Sequence, residues 1–119
     1  MTTASLENTY WKLTRLGEQP VQVTSQQREP HLILKPESRR IGGSGGCNRL
    51  IGSYELDGKQ LTFGQLATTR MACREGMDTE AAFTAALEEV RTWRIAGQHL
   101  ELFDDGGQLV ARCEARALP

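Results

Sequence analysis

Three thiols and two imidazoles are the side chains best suited to chemistry in this chain: Cys47, Cys73 and Cys113, with His31 and His99. A thiolate could serve as nucleophile, redox centre or metal ligand. The spacing narrows those choices. No two cysteines stand as C-x-x-C, so neither a zinc ribbon nor a thioredoxin-type pair is present. A His/Cys metal site would have to gather three or four ligands from distant segments. Neither histidine has a sequence neighbour that would orient it in a Ser-His-Asp or Cys-His set. An odd number of cysteines leaves one over if two of them bond. The chain is therefore read with no catalytic residues, no metal and no cofactor.

Two of the cysteines sit in unusual surroundings. Cys47 is the next-to-last residue of Gly42-Gly43-Ser44-Gly45-Gly46-Cys47-Asn48, and Cys73 ends Thr68-Thr69-Arg70-Met71-Ala72-Cys73. Glycine tolerates positive φ and close backbone approach, so the first stretch reads as a bulge or corner between strands. It is not a phosphate loop, because it lacks G-x-x-x-x-G-K-[ST] and no helix follows it. Arg39, Arg40, Arg49, Arg70 and Arg74 flank the two stretches. If the stretches meet, some of these arginines could line an anion-binding groove, since Arg suits bidentate oxyanion contacts. The plainer alternative is a solvated rim paired with Glu37, Glu55 and Glu75.

The elements that must position these residues are mostly strands. Trp11 and Leu13 alternate with Lys12 and Thr14, as on a half-buried strand. Gly17–Pro20 reads as a turn, Val21–Thr24 as a short edge strand, His31–Lys35 as a strand ended by Pro36, and Arg39–Gly43 as another. Ile51–Leu56 and Gln60–Phe63 form a hairpin, with Asp57-Gly58 as the turn. Thr92–Ile95, His99–Phe103 and Gln108–Cys113 complete the set. One helix is expected near 78–91. Asp78 would be its N-cap, Glu80 would lie in a first turn that favours an anion, and Phe83, Leu87 and Val90 would form its apolar face. Trp11, Trp93, Phe63 and Phe83 fit core positions. About eight short strands and one helix make a mainly β domain, a small antiparallel barrel or sandwich. Its limits are 9–113, with 1–8 and 114–119 as flexible ends.

Composition excludes several roles. A chain of 119 residues is one domain, long enough to bury a core without metal. With 14 basic and 15 acidic residues it has no basic footprint for nucleic acid. No apolar run approaches the length of a transmembrane segment. Residues 1–8 are polar and lack the apolar region of a signal peptide.

The order Thr9-Tyr10-Trp11-Lys12-Leu13, Gly45-Gly46-Cys47-Asn48, Gly52-Ser53-Tyr54, Leu61-Thr62-Phe63, Thr69-Arg70-Met71-Ala72-Cys73, then Glu80 with Phe83 and Leu87, then Leu100-Glu101-Leu102, resembles the META domain, or HslJ, family. The likeness runs from about Thr9 to Val110. It implies a small antiparallel β structure with one helix and no established enzyme activity. It also implies a bacterial protein, often exported or lipid-anchored in the envelope. Links to heat shock, novobiocin resistance and, in a protozoan relative, secretion and motility come with the family. Two features depart from the pattern: no lipoprotein or signal segment is seen, and Cys113 stands where an apolar residue is more usual.

In an oxidising envelope Cys47 and Cys73 would form a disulfide; in the cytoplasm they would be two small packed thiols. The first reading is thus a non-enzymatic, monomeric binding or accessory module linked to stress response. It would work in the periplasm or outer envelope if a signal has been removed, and otherwise in the cytoplasm. Its partner would be an unknown protein or small ligand. The alternatives are a thiol-dependent enzyme or redox factor using Cys47 or Cys73, and a cytoplasmic interaction domain.

Overall fold

A computed structural model describes residues 4–23 and 27–117. Among them, nine antiparallel strands form one sheet that closes on itself. In chain order they are β1 (Tyr10–Leu16), β2 (Gln19–Pro20), β3 (His31–Lys35), β4 (Arg40–Ser44), β5 (Arg49–Asp57) and β6 (Gln60–Thr68), then the helix α1 (Met77–Glu89), and β7 (Thr92–Ala96), β8 (His99–Phe103) and β9 (Leu109–Arg116). Neighbours pair in the order β2-β1-β3-β4-β5-β6-β7-β8-β9, and β1 also pairs β9, which makes the ring. The expected barrel is the observed architecture. β2 is a two-residue tab on the edge of β1.

Alternation along each strand builds the core. Trp11 and Leu13, Leu32 and Leu34, Leu50 and Tyr54, Leu61 and Phe63, and Leu100 and Leu102 point inward, and α1 adds Phe83 and Leu87. The ring is thinnest between β6 and β7, which share one paired position, Gln60–Thr92. The chain passes through α1 between those two strands. Phe83, Leu87 and Val90 are fully buried as expected, and α1 packs against β6 on one side and the neighbouring pair β9 and β1 on the other. It therefore reaches across the barrel instead of lying along one hairpin. No helix among the described residues is long and apolar enough to cross a membrane.

Several expected boundaries move. The edge strand expected at Val21–Thr24 is replaced by Gln19–Pro20, inside the expected turn; Val21 only donates its N–H to the Thr14 carbonyl, and Thr24 lies outside the described residues. β6 runs on to Thr68 because a bulge, with Gln65 at φ 52°, interrupts its alternation without ending the pairing to β5. The hairpin after β5 turns at Gly58-Lys59, with Asp57 already paired to Gln60. The cap of α1 is Gly76 at φ 95°, with Asp78 one residue inside the helix. Trp93 is only partly buried; its indole N–H donates to the Gly58 carbonyl. The expected lead-in makes contacts from residue 4 onward. Leu6 is buried, its carbonyl accepts the Trp11 indole N–H, and Ala4 donates to the Gly97 carbonyl. At the other end, β9 continues past Cys113 and pairs with β1 through Arg116.

Candidate functional site

The two cysteine stretches meet. Cys47 and Cys73 are joined by a disulfide, with Cα atoms 6.0 Å apart. Asn48 welds the same junction. Its side-chain carbonyl accepts from the Met71 backbone N–H at 2.8 Å and from the Thr69 hydroxyl at 2.9 Å. Its amide nitrogen donates to the Met71 carbonyl at 3.2 Å and to the Glu80 carboxyl at 2.8 Å. Both donors and both acceptor positions of the amide are used, and the Met71 N–H fixes which end is oxygen. Thr69 adds backbone and side-chain bonds to Arg49. Arg70 and Ala72, between these anchors, face solvent.

Glu80 completes the junction from α1. It is 7% exposed, and one of its oxygens accepts the backbone N–H groups of Asn48 at 2.5 Å and Cys47 at 3.3 Å. The glycine corner has few backbone partners of its own, so a helix side chain satisfies donors that would otherwise be buried and unpaired. The corner needs glycine for two different reasons. Gly46 has φ 122°, in the region L side chains rarely adopt. Gly45 has no such φ, but a Cβ there would lie 2.4 Å from Glu80 Cγ. Sequence alone gives the Glu80 charge to the helix dipole; the structure gives it to the backbone of Cys47 and Asn48 and the Asn48 amide. The available signal was its position three residues before Phe83 and seven before Leu87, on the same helix face.

The thiols and imidazoles do not assemble into a catalytic set. Cys47 and Cys73 are bonded to each other. Cys113 is fully buried, and burial pushes its thiol up to about 12. His31 stacks on Tyr10 with ring centroids 4.3 Å apart, and its Nδ1 lies 3.0 Å from the Glu29 carbonyl. Burial first, then Glu29, raises the Tyr10 hydroxyl to about 12. His99 lies beside Glu114 on the β8–β9 hairpin. Burial, with the hydrogen bond to Glu7 second, also raises the Tyr54 hydroxyl.

The five arginines separate. Arg39 lies over the Tyr54 ring, 5.9 Å from its centroid. Arg70 lines a shallow depression against α1, and Arg74 is exposed in the loop after Cys73. Arg40 lines two grooves: one of about 640 Å³ with Arg39 and Tyr54, and one of about 710 Å³ with Arg49 on the outer face of β3, β4 and β5.

Comparison with known proteins agrees with this picture. Two solved structures share the fold. One is an NMR structure of a protein from Burkholderia xenovorans, with TM-score 0.74 and 31% identity, covering 95% of this chain and 85% of that one. The other, also by NMR, has TM-score 0.68 and 26% identity, covering 92% of this chain and 91% of that one. No curated protein matches the sequence. The META domain profile matches residues 4–117, from the packed lead-in to the end of β9, and the chain belongs to the META domain family.

Proposed function

We propose that this chain is a non-enzymatic binding or accessory module that works in an oxidising compartment, the bacterial envelope, in a stress-linked role. The observation that carries this reading is the Cys47–Cys73 disulfide at the junction of the glycine corner and the segment entering α1. Structural disulfides persist in secreted and periplasmic proteins and are rare in the cytosol. The bond encloses a segment whose ends are 26 positions apart, which by chain entropy is worth about 3.5 kcal/mol. The same bond removes both sulfurs from thiolate chemistry, and burial removes the third. The thiol-enzyme alternative therefore has no available nucleophile in this state.

The test is mass spectrometry of the protein from its native host, acid-quenched and alkylated with and without prior reduction under unfolding conditions. The expected result is one alkyl group without reduction and three with it. Three in both cases would overturn the oxidising-compartment reading.

A further inference from the structure

The groove on the outer face of β3, β4 and β5 has an ordered chemistry that follows from register. His31 pairs Ser44, which pairs Arg49; Ile33 pairs Gly42, which pairs Ile51; Lys35 pairs Arg40. These residues alternate with the buried Leu32, Leu34, Ile41 and Leu50, so they share the outward face. The result is an apolar row with a cationic row on either side, Lys35 with Arg40 on one and Arg49, beside His31 and the buried Ser44, on the other. Four residues separate the cationic rows along β3, on the order of 13 Å.

Two further features single this surface out. Lys35 and Arg40 are directly opposed like charges, an arrangement that destabilises a sheet unless something neutralises it. No ion pair joins Lys35, Arg40 or Arg49 to an acid among the described residues. The middle row carries no side chain of its own at Gly42, between Ile33 and the 47% exposed Ile51, and the Lys35 chain end folds over it, its Nζ 3.4 Å from where a Gly42 Cβ would lie. Arg28 joins the rim beside His31, while Glu29 there is engaged with the Tyr10 hydroxyl at 3.3 Å.

We propose that this groove binds a small elongated dianion with an apolar middle, each acid group held by one cationic row and the body laid over Ile33, Gly42 and Ile51. The proposal deepens the binding-module reading and rests on it. Charge-assisted contacts at both ends fix orientation, and the exposed Lys35 chain swings off Gly42 to meet one acid group and admit the body.

Dodecanedioate, whose extended carboxylates span about the distance between the cationic rows, is the probe. It is titrated into the 15N-labelled, disulfide-bonded chain and followed by amide shifts. Saturable shifts at Ile33, Gly42 and Ile51 are expected, with an affinity about tenfold above that of dodecanoate, since a second charged contact is gained. Glutarate, a dianion too short to bridge the rows, should bind more weakly than either. Arg40→Gln should bring dodecanedioate down to the dodecanoate level. Gly42→Val offers a separate control: a Cβ there meets only the Lys35 side-chain end at 3.4 Å, so the variant should keep its fold and lose binding. Equal affinity for the two long acids, shifts confined to other surfaces, or full binding by Gly42→Val with an unchanged spectrum would each overturn the proposal. None of those results touches the alkylation test, and reduced cysteines in the host would leave this groove intact, so the two failures are distinguishable.

Discussion

Replacing Asn48 by aspartate changes one NH2 group to oxygen and should be among the most damaging isosteric substitutions available. Asn48 is 2% exposed, and its amide nitrogen donates to both Glu80 and the Met71 carbonyl. The Met71 N–H and the Thr69 hydroxyl hold the other end, so the side chain cannot turn to escape. An aspartate would set acceptor against acceptor at both contacts. With a proton it recovers one of them, and the lost bond costs about 1 kcal/mol. Without one, it places a buried charge beside Glu80. Burial and a neighbouring carboxyl raise such a group by roughly 2 pK units or more, each worth about 1.4 kcal/mol at neutral pH. The total is about 4 kcal/mol, or a Tm lower by roughly 15 °C in a domain of this size. The sign follows from linkage. The new group's folded pKa is above its unfolded value, so the penalty is small below about pH 4 and grows as pH rises toward the folded pKa. Thermal melts of the parent, Asn48→Asp and Asn48→Ala at pH 4.5 and 7.5 provide the assay. Asn48→Ala should be destabilised without that added pH slope. An Asn48→Asp variant melting within about 3 °C of the parent at pH 7.5 would refute the account of the junction.

Gly46→Val should cost about 2 kcal/mol or more, because it adds positive-φ strain to a Cβ placed 3.0 Å from the Gly76 carbonyl oxygen. Gly17→Ala, at φ 59° with nothing within 4 Å, should cost only about 1 kcal/mol; equal losses in urea melts would contradict the crowding argument. Cys113→Ser should retain the Cys47–Cys73 bond by intact mass but lose about 1 to 3 kcal/mol, since it buries a hydroxyl between Leu13 and Leu100. A melting curve matching the parent's would count against that burial.

Strand positions were legible wherever alternation was clean, as in Trp11-Lys12-Leu13 and Leu100-Glu101-Leu102, because period-two patterning is a local property. The meeting of the two cysteine stretches was legible through family likeness. What escaped depended on contacts between distant segments. Glu80 looked like a first-turn acid because its partners lie more than thirty positions away, at Cys47 and Asn48. The continuation of β6 was hidden by the bulge at Gln65, which flips the pattern without ending the hydrogen bonding. Asp78 had the side chain of an N-cap, yet Gly76 took the place because the chain leaves the junction there with positive φ. The anion-binding expectation named arginines near the cysteines in sequence. Register across β3, β4 and β5 groups Arg40 and Arg49 with Lys35 and His31 instead.

The closure of the ring by β1 and β9 sets an order on folding as the chain is delivered N-terminus first. Trp11 gains its second neighbouring strand, and Leu13 its strand partner, only when Ala111–Arg116 arrive, about a hundred residues after them. The pairings of β3 through β6, and the meeting of Cys47 with Cys73, involve segments close in sequence and form at lower loop-closure cost. A chain entering an oxidising compartment N-terminus first can therefore assemble and covalently lock its central sheet while the barrel is still an open trough. The last strand then acts as a stave that seals it, and any premature stop before residue 109 would leave the Trp11 edge of β1 without that strand.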